Sequence, residues 1–387
     1  MNELLRTKTR APYEVAVAGG VLLAAAMGIG RFVYTPLLPH MQEALHLTPA
    51  IAGWLASANY LGYLAGALVT TAMRPPGGPR PMIAFGLILS AITTGLMAAA
   101  SSVALFAVLR FLGGLASALV LVYTVPIVFT HLAEMSAERY VSLLFGGVGA
   151  GMALSALLVS GLGAAGFDWR VQWLASGVLT ALAFFALRHI PDVQRQQTAG
   201  STDKLQWPRG FTALLVSYTL FGFGYVITAT FIVVIVRESA VLRPLEPMVW
   251  TIVGLAGIPS VWAWTLLAGR IGLFGAYAAA CLAEAIGVAA SVVATSIPAV
   301  ILAAILLGGT FMAITSLGLA GARRMASSDP VRMLALLTAG FGLGQIVGPS
   351  LAGFLRESTG SYLAPSLAAA AALVVAACLS APLHRVR

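Results

Sequence analysis

Three ionisable side chains lie deep inside apolar runs of this sequence: Arg31, Arg110 and Glu284. A charge at the centre of a bilayer costs at least ~2.5–3.5 kcal/mol on insertion scales, so each marks a place where function is expected. Arg31 and Arg110 each fall about eight residues, or roughly 12 Å at 1.5 Å per residue, from the outer end of their runs, Arg31 before the end of its run and Arg110 after the start of its own. A guanidinium is a planar fork suited to bidentate recognition of carboxylate, phosphate or sulfonate. No carboxylate in the N-terminal half lies at that depth, so the two arginines read as an anion site. The competing reading is that each clamps backbone carbonyls of a neighbouring helix. Glu284 is the only deep acid, a candidate for carrying a coupling proton or for a plain hydrogen bond between helices.

Hydroxyls, amides and rings complete the candidate set. Tyr34 and Thr35 follow Arg31 by three and four residues, which places them beside it on a helix. Asn59 and Tyr63 lie one turn apart. Tyr225 and Thr228 occupy the corresponding stretch of the second half, and Gln345 sits near mid-depth. Each is also explained by bonding between helices, which averages only ~0.6 kcal/mol. Pro36 has no N–H, so the carbonyl of Phe32 loses its helical partner, and Gly28 and Gly30 loosen the preceding turn. A broken helix at this depth is tolerated where it packs in protein or lines a cavity.

Catalysis and metal chemistry find no support. Cys281 and Cys378 have no metal-ligand spacing, no run holds a pair of aspartates, and His131-Leu-Ala-Glu134 does not match HExxH. The expectation is a protein that is not an enzyme and holds no cofactor.

These residues must be positioned by membrane helices. Of the 387 residues, 59% are apolar and 9% charged, against about 25% charged in a soluble domain. Mean hydropathy is +0.94. A span needs roughly 20 apolar residues. Twelve runs qualify, about 14–39, 48–72, 81–100, 102–129, 139–163, 169–189, 210–237, 247–269, 273–296, 298–321, 333–355 and 362–383. The fold class predicted is an all-α integral membrane protein, with two pseudo-symmetric bundles of six helices around a central cavity. The polar stretch 190–209 divides the chain into an N-terminal bundle, 1–189, and a C-terminal bundle, 210–387, and is read as a cytoplasmic linker.

Lysine and arginine orient the bundle. Sixteen fall on the side that holds both termini; Arg170, Arg237, Arg243 and Arg356 fall on the other; Arg31 and Arg110 complete the 22. Both termini are therefore expected in the cytoplasm, in a multi-pass protein of the bacterial inner membrane. The net charge of +9 then reports topology and contact with acidic lipid, and nucleic acid is not needed to explain it.

The halves echo each other at an offset near 193 residues. GVGAGMALSALLVSG begins at Gly147, and GFGLGQIVGPSLAGF begins at Gly340. Gly147, Gly149 and Gly151 align with Gly340, Gly342 and Gly344. Gly28-x-Gly30 matches Gly222-x-Gly224, and Leu112–Gly114 matches Leu307–Gly309. Internal repeats of this kind suit secondary transporters, whose site lies between the repeats near mid-membrane.

Arg110-Phe-Leu-Gly113-Gly114 is similar to the arginine-x-x-x-glycine motif of the major facilitator superfamily. Gly344, Gly348, Pro349 and Gly353 resemble its glycine–proline antiporter motif, on the eleventh run instead of the fifth. The loop after the second run has Arg74, Gly77, Gly78 and Arg80, without the aspartate usual there. The stretch Gly28-Ile-Gly30-Arg31-Phe32-Val33-Tyr34-Thr35-Pro36-Leu37-Leu38-Pro39 resembles the bacterial YbfB/YjiJ-type group. The resemblance implies a solute carrier, monomeric and working by alternating access. Joined to the arginines, it leads to an expected secondary active transporter of a small organic anion, a carboxylate by preference, with protons as a possible coupling ion. The alternative is a proton-coupled exporter of drugs or other amphipaths, favoured by the glycine–proline motif.

Overall fold

A computed structural model describes residues 10–72, 77–192, 207–293, 296–326 and 330–385. Every apolar run is helical. The helices are α1, Pro12–Leu45; α2, Pro49–Ala72; α3, Pro79–Leu96; α4, Val103–Glu134; α5, Val141–Ala164; and α6, Trp169–Leu182. The second half has α7, Phe211–Glu238; α8, in two segments, Glu246–Gly257 and Ser260–Ile271; α9, Leu273–Val293; α10, Ile297–Met325; α11, Pro330–Thr359; and α12, Leu363–Ser380. Their starts follow ordinary end chemistry. Ser102 caps α4 by accepting from the Leu105 N–H at 3.2 Å, and Asp168 caps α6 by accepting from Val171 at 3.1 Å. Proline opens α1, α2 and α3, where its missing N–H costs nothing.

Among the described residues, ten helices are long and apolar enough to span a bilayer, and α8 makes an eleventh. The remaining one, α2, has the length at 24 residues, but Ser57, Asn59, Tyr60 and Tyr63 dilute its apolarity. The eighth run departs from the expected straight span. Pro259 has no N–H to give, and α8 bends by 45° between its two segments. Apolar side chains such as Trp54, Phe85, Phe185, Leu266 and Phe354 are exposed on the outside of the bundle, as a lipid-facing surface requires. Of the expected linker 190–209, residues 193–206 lie outside the described residues, as does Arg74 of the loop motif.

Within the first half α1 packs on α5, α2 on α4, and α3 on α4 and α6; in the second half α7 packs on α11, and α9 on α10 and α12. The halves meet chiefly through two pairs, α2 with α11 and α5 with α8, and α1 also touches α7. Adding six to each helix number exchanges these pairs, so the bundle has a pseudo-two-fold arrangement. The glycine triplets show why. A Cβ on Gly147 or Gly151 would lie 2.1 or 2.2 Å from the carbonyl oxygens of Gly20 or Ala24, so these two let α5 close on α1. Gly344 does the same for α11 on α7, its Cβ position being 2.2 Å from the Thr219 oxygen. The middle glycines face the other way: Gly149 meets Gly254 of α8, and Gly342 meets Leu64 of α2. Aligned glycines thus do aligned work in both halves.

At the end remote from the termini, called distal below, the halves are closely sealed. Gly53 of α2 and Gly353 of α11 admit the carbonyl oxygens of Pro349 and Pro49, at 2.1 and 2.2 Å from where a Cβ would stand. Ser57 donates to the Ile346 carbonyl at 2.6 Å and accepts from Ser350 at 2.8 Å. Thr35 of α1 donates to the Ala229 carbonyl of α7 at 2.7 Å. Arg237 bonds Glu43 at 2.7 Å, but Glu43 is largely exposed, and an exposed pair adds little.

Candidate functional site

The break in α1 is the local event that builds the site. Ala24–Ile29 forms a π-helical segment, in which Gly30 and Phe32 donate to Ala25 and Met27, five residues back. π segments of this kind are frequent at functional sites. Pro36 then cannot serve the Phe32 carbonyl, and the Thr35 N–H bonds it instead at 3.1 Å. The normal partner of the Arg31 carbonyl is thereby diverted. Arg110 of α4 fills the gap, both terminal nitrogens donating to the Arg31 oxygen at 3.3 Å. Its guanidinium lies 4.5 Å from the centre of the Tyr34 ring. Asn59 donates to the Arg110 carbonyl at 2.8 Å, and Tyr34 donates to the Ala52 carbonyl at 2.9 Å. Arg110, Tyr34 and Asn59 form a scaffold beneath Arg31.

Arg31 itself points between the halves. It is 2% exposed. One nitrogen donates to the Gln345 side-chain oxygen at 2.9 Å, and the Gln345 amide in turn donates to the Tyr225 hydroxyl. The guanidinium carbon stands over the rings of Tyr60 and Tyr63, at 4.6 and 4.3 Å from their centres. Such contacts are worth about 0.5–2 kcal/mol each and leave the charge uncompensated. Among the described residues no carboxylate lies within ion-pair distance of Arg31 or Arg110, and the Nε of each is buried without a partner.

Of the residues singled out in the sequence, Arg31, Tyr63, Tyr225 and Gln345 meet directly, and Tyr34, Asn59 and Arg110 support them. Thr228 is fully buried, with a hydroxyl that has no partner, and does not join the cluster by hydrogen bond. Glu284 is also fully buried, in the second half. Sequence reasoning missed Tyr60, although it precedes Tyr63 by three residues and shares its face. It also missed the rings that extend from Tyr225. Phe341 lies parallel to Tyr225 within 2°, Phe311 within 14°, and Phe221 within 25°. Phe32, Tyr225, Trp250 and Phe311 close around a gap too narrow for water. Trp250, one of three tryptophans in the eighth run, is therefore a core residue packed on Phe32, whereas Trp262 is exposed.

A buried cation held by neutral partners at the seam of a six-plus-six bundle fits a transport protein, and comparison with known sequences gives the family. Residues 23–381 match the family model described as uncharacterised MFS-type transporter YbfB. The chain belongs to this family of major facilitator transporters. It is 28% identical over 181 residues to a probable transporter of Streptomyces coelicolor, a match covering 46% of this chain and 41% of the relative. It is 26% identical over 174 residues to the niacin transporter NiaP of Acinetobacter baylyi, covering 45% and 38%. The matched stretches span about two-fifths of these relatives' lengths. Among solved structures, a point mutant of the nucleoside transporter NupG superposes with a TM-score of 0.73 at 15% identity, covering 95% of this chain and 98% of that one. A bacterial homologue of the lysosomal transporter Spinster, inward-facing and occupied, gives 0.72 at 13%, covering 97% and 98%. At these identities the likeness shows the fold.

Proposed function

We propose that this MFS-type transporter carries a small organic anion, a carboxylate in the first instance, by alternating access between its two six-helix halves. The observation that supports this reading is Arg31. A guanidinium buried between the halves, stacked on two tyrosines and held only by neutral side chains, lacks its counter-charge. Burying an unpaired charge is costly. An anionic solute would supply the missing partner, and Gln345 would yield one acceptor to it. Because Arg31 belongs to the first half while Gln345 and Tyr225 belong to the second, a bound anion would be sensed by both. The name of the niacin transporters among the relatives adds weight to a small organic solute.

In this reading 1–189 and 210–387 rock as two bodies about the seam, joined by the linker 190–209. With sixteen lysines and arginines on the termini side, that side is cytoplasmic in the bacterial inner membrane, and the distal seal closes the site to the outside. The carrier works as a monomer.

The test is thermal stabilisation of the purified protein against a panel of carboxylates, sulfonates and amphipathic cations. A ligand at 100 times its Kd stabilises the native state by about 2.7 kcal/mol. Saturable stabilisation by carboxylates, lost in Arg31→Gln, is the expected result. Stabilisation by cations alone, unchanged in Arg31→Gln, would overturn the anion reading in favour of an exporter.

A further inference from the structure

Glu284 has an environment that the anion site does not use. It lies midway along α9, on the side packed against α7, α10 and α12, and is 0% exposed. Neither carboxyl oxygen has a hydrogen-bond partner. Thr310 of α10 stands beside it, but its hydroxyl donates to the Leu306 carbonyl at 2.6 Å. Cys281 on α9 and Tyr225 on α7 lie within electrostatic reach of it, and Tyr277, two turns earlier on α9, interacts with Cys281, Ser217 and Tyr218. Neither α10 near Thr310 nor α12 brings a charged residue, and Arg270 of the second α8 segment is exposed at the end of the bundle. A carboxylate needs donors or a cation to be kept in such a place, whereas the uncharged acid needs neither so strictly.

Two further features tie this acid to the rest of the molecule. Tyr277, Cys281 and Glu284 follow at helical spacing along one side of α9, leading inward from the termini end. Ser217 of α7 meets the Tyr277 hydroxyl at 3.3 Å near the start of that line. Toward the seam, Tyr225 is the far end of the relay through Gln345 to Arg31.

We propose that Glu284 is a proton-binding site, loaded and unloaded from the termini side past Tyr277 and Cys281, and linked through Tyr225 and Gln345 to Arg31. The step is a simple protonation: a hydronium ion at the termini end gives a proton to a Glu284 oxygen and becomes water, and the carboxyl returns the proton to water when the second half opens. This rests on the carrier reading and is independent of the solute being an anion.

The experiment is an infrared pH titration of the purified full-length protein, following the carbonyl stretch of protonated carboxyl groups. The expected result is a band that changes with pH within the range in which the protein is folded, is missing from Glu284→Gln and is kept but displaced in Glu284→Asp. Both variants are checked for a monodisperse folded protein, and the aspartate keeps the test open should glutamine disturb folding. Tyr225→Phe is expected to move the midpoint. A Glu284 band unchanged over the whole pH range in which the protein is folded would overturn the proposal. A midpoint unmoved by Tyr225→Phe would overturn its link to Arg31. A titrating band in a protein that no panel anion stabilises would leave the proton site standing and remove the anion.

Discussion

Arg31→Gln is expected to leave the ligand-free protein within about 1 kcal/mol of wild-type stability, while Arg110→Gln lowers its melting temperature by several degrees. The two residues are alike in type and burial, and the difference lies in their partners. Removing the Arg31 charge relinquishes one bond to Gln345 and contacts with the rings of Phe32, Tyr60 and Tyr63. It also relieves a buried charge that nothing neutralises, and the two effects oppose. Arg110 instead spends both terminal nitrogens on the Arg31 carbonyl, which the break in α1 has left without its helical donor. Without Arg110 that carbonyl is buried and unsatisfied, at a cost of about 1–3 kcal/mol. Ligand-free melting curves of both variants in one detergent decide the matter. Equal destabilisation would mean that Arg31 is a structural clamp like Arg110, and the anion site would lose its main support.

Gly53→Ala is expected to hold the carrier open at its distal end and stop transport while leaving it folded. In a helix, alanine for glycine is favourable by about 1 kcal/mol. Here the added carbon would lie 2.1 Å from the Pro349 oxygen and 2.8 Å from its carbonyl carbon, and neither backbone atom can turn away. The contact joins α2 to α11 across the seam, so parting the halves relieves it without unfolding either. Gly62→Ala offers the contrast. Its carbon would lie 1.8 Å from the Phe111 oxygen of α4, inside the first half, and should destabilise the fold itself. Ser57→Cys, 5% exposed and hydrogen-bonded across the seam, reports on the gate. A membrane-impermeant maleimide added from outside should label it in the Gly53→Ala background and not in the parent, with the protein lacking Ser57→Cys as blank. Absence of labelling in a folded, transport-dead Gly53→Ala protein would show that the seal does not depend on this approach.

Much of the architecture was readable from hydropathy, because a bilayer imposes length and apolarity on each segment separately. All twelve runs returned as helices, and the break near Arg31 followed from the missing N–H of Pro36. What lay beyond reach depended on how helices turn toward one another. The Tyr225, Phe311 and Phe341 rings come from three helices and become a stack only once those helices are rotated into contact. The part played by Arg110 was visible as one of two options, and the choice between them hung on a carbonyl released five residues ahead of Pro36. Glu284 shows the opposite difficulty. Its depth was plain in the sequence, but that its side of α9 is enclosed while Leu282 and Ile286 on the other side are exposed was not, since burial belongs to a face and not to a helix.

The pairing of α2 with α11 and of α5 with α8 is the contact that two identical six-helix chains would make about a two-fold axis. In such a dimer every residue near the axis would occur twice. The arginine at position 31 would face a second arginine, and two buried guanidiniums would repel each other across the seam. Joined in one polypeptide, the repeats are free to differ: the first keeps Arg31, and the second has Tyr225 at the matching place. A single polypeptide thus lets the centre hold one charge with a direction, between two unlike walls.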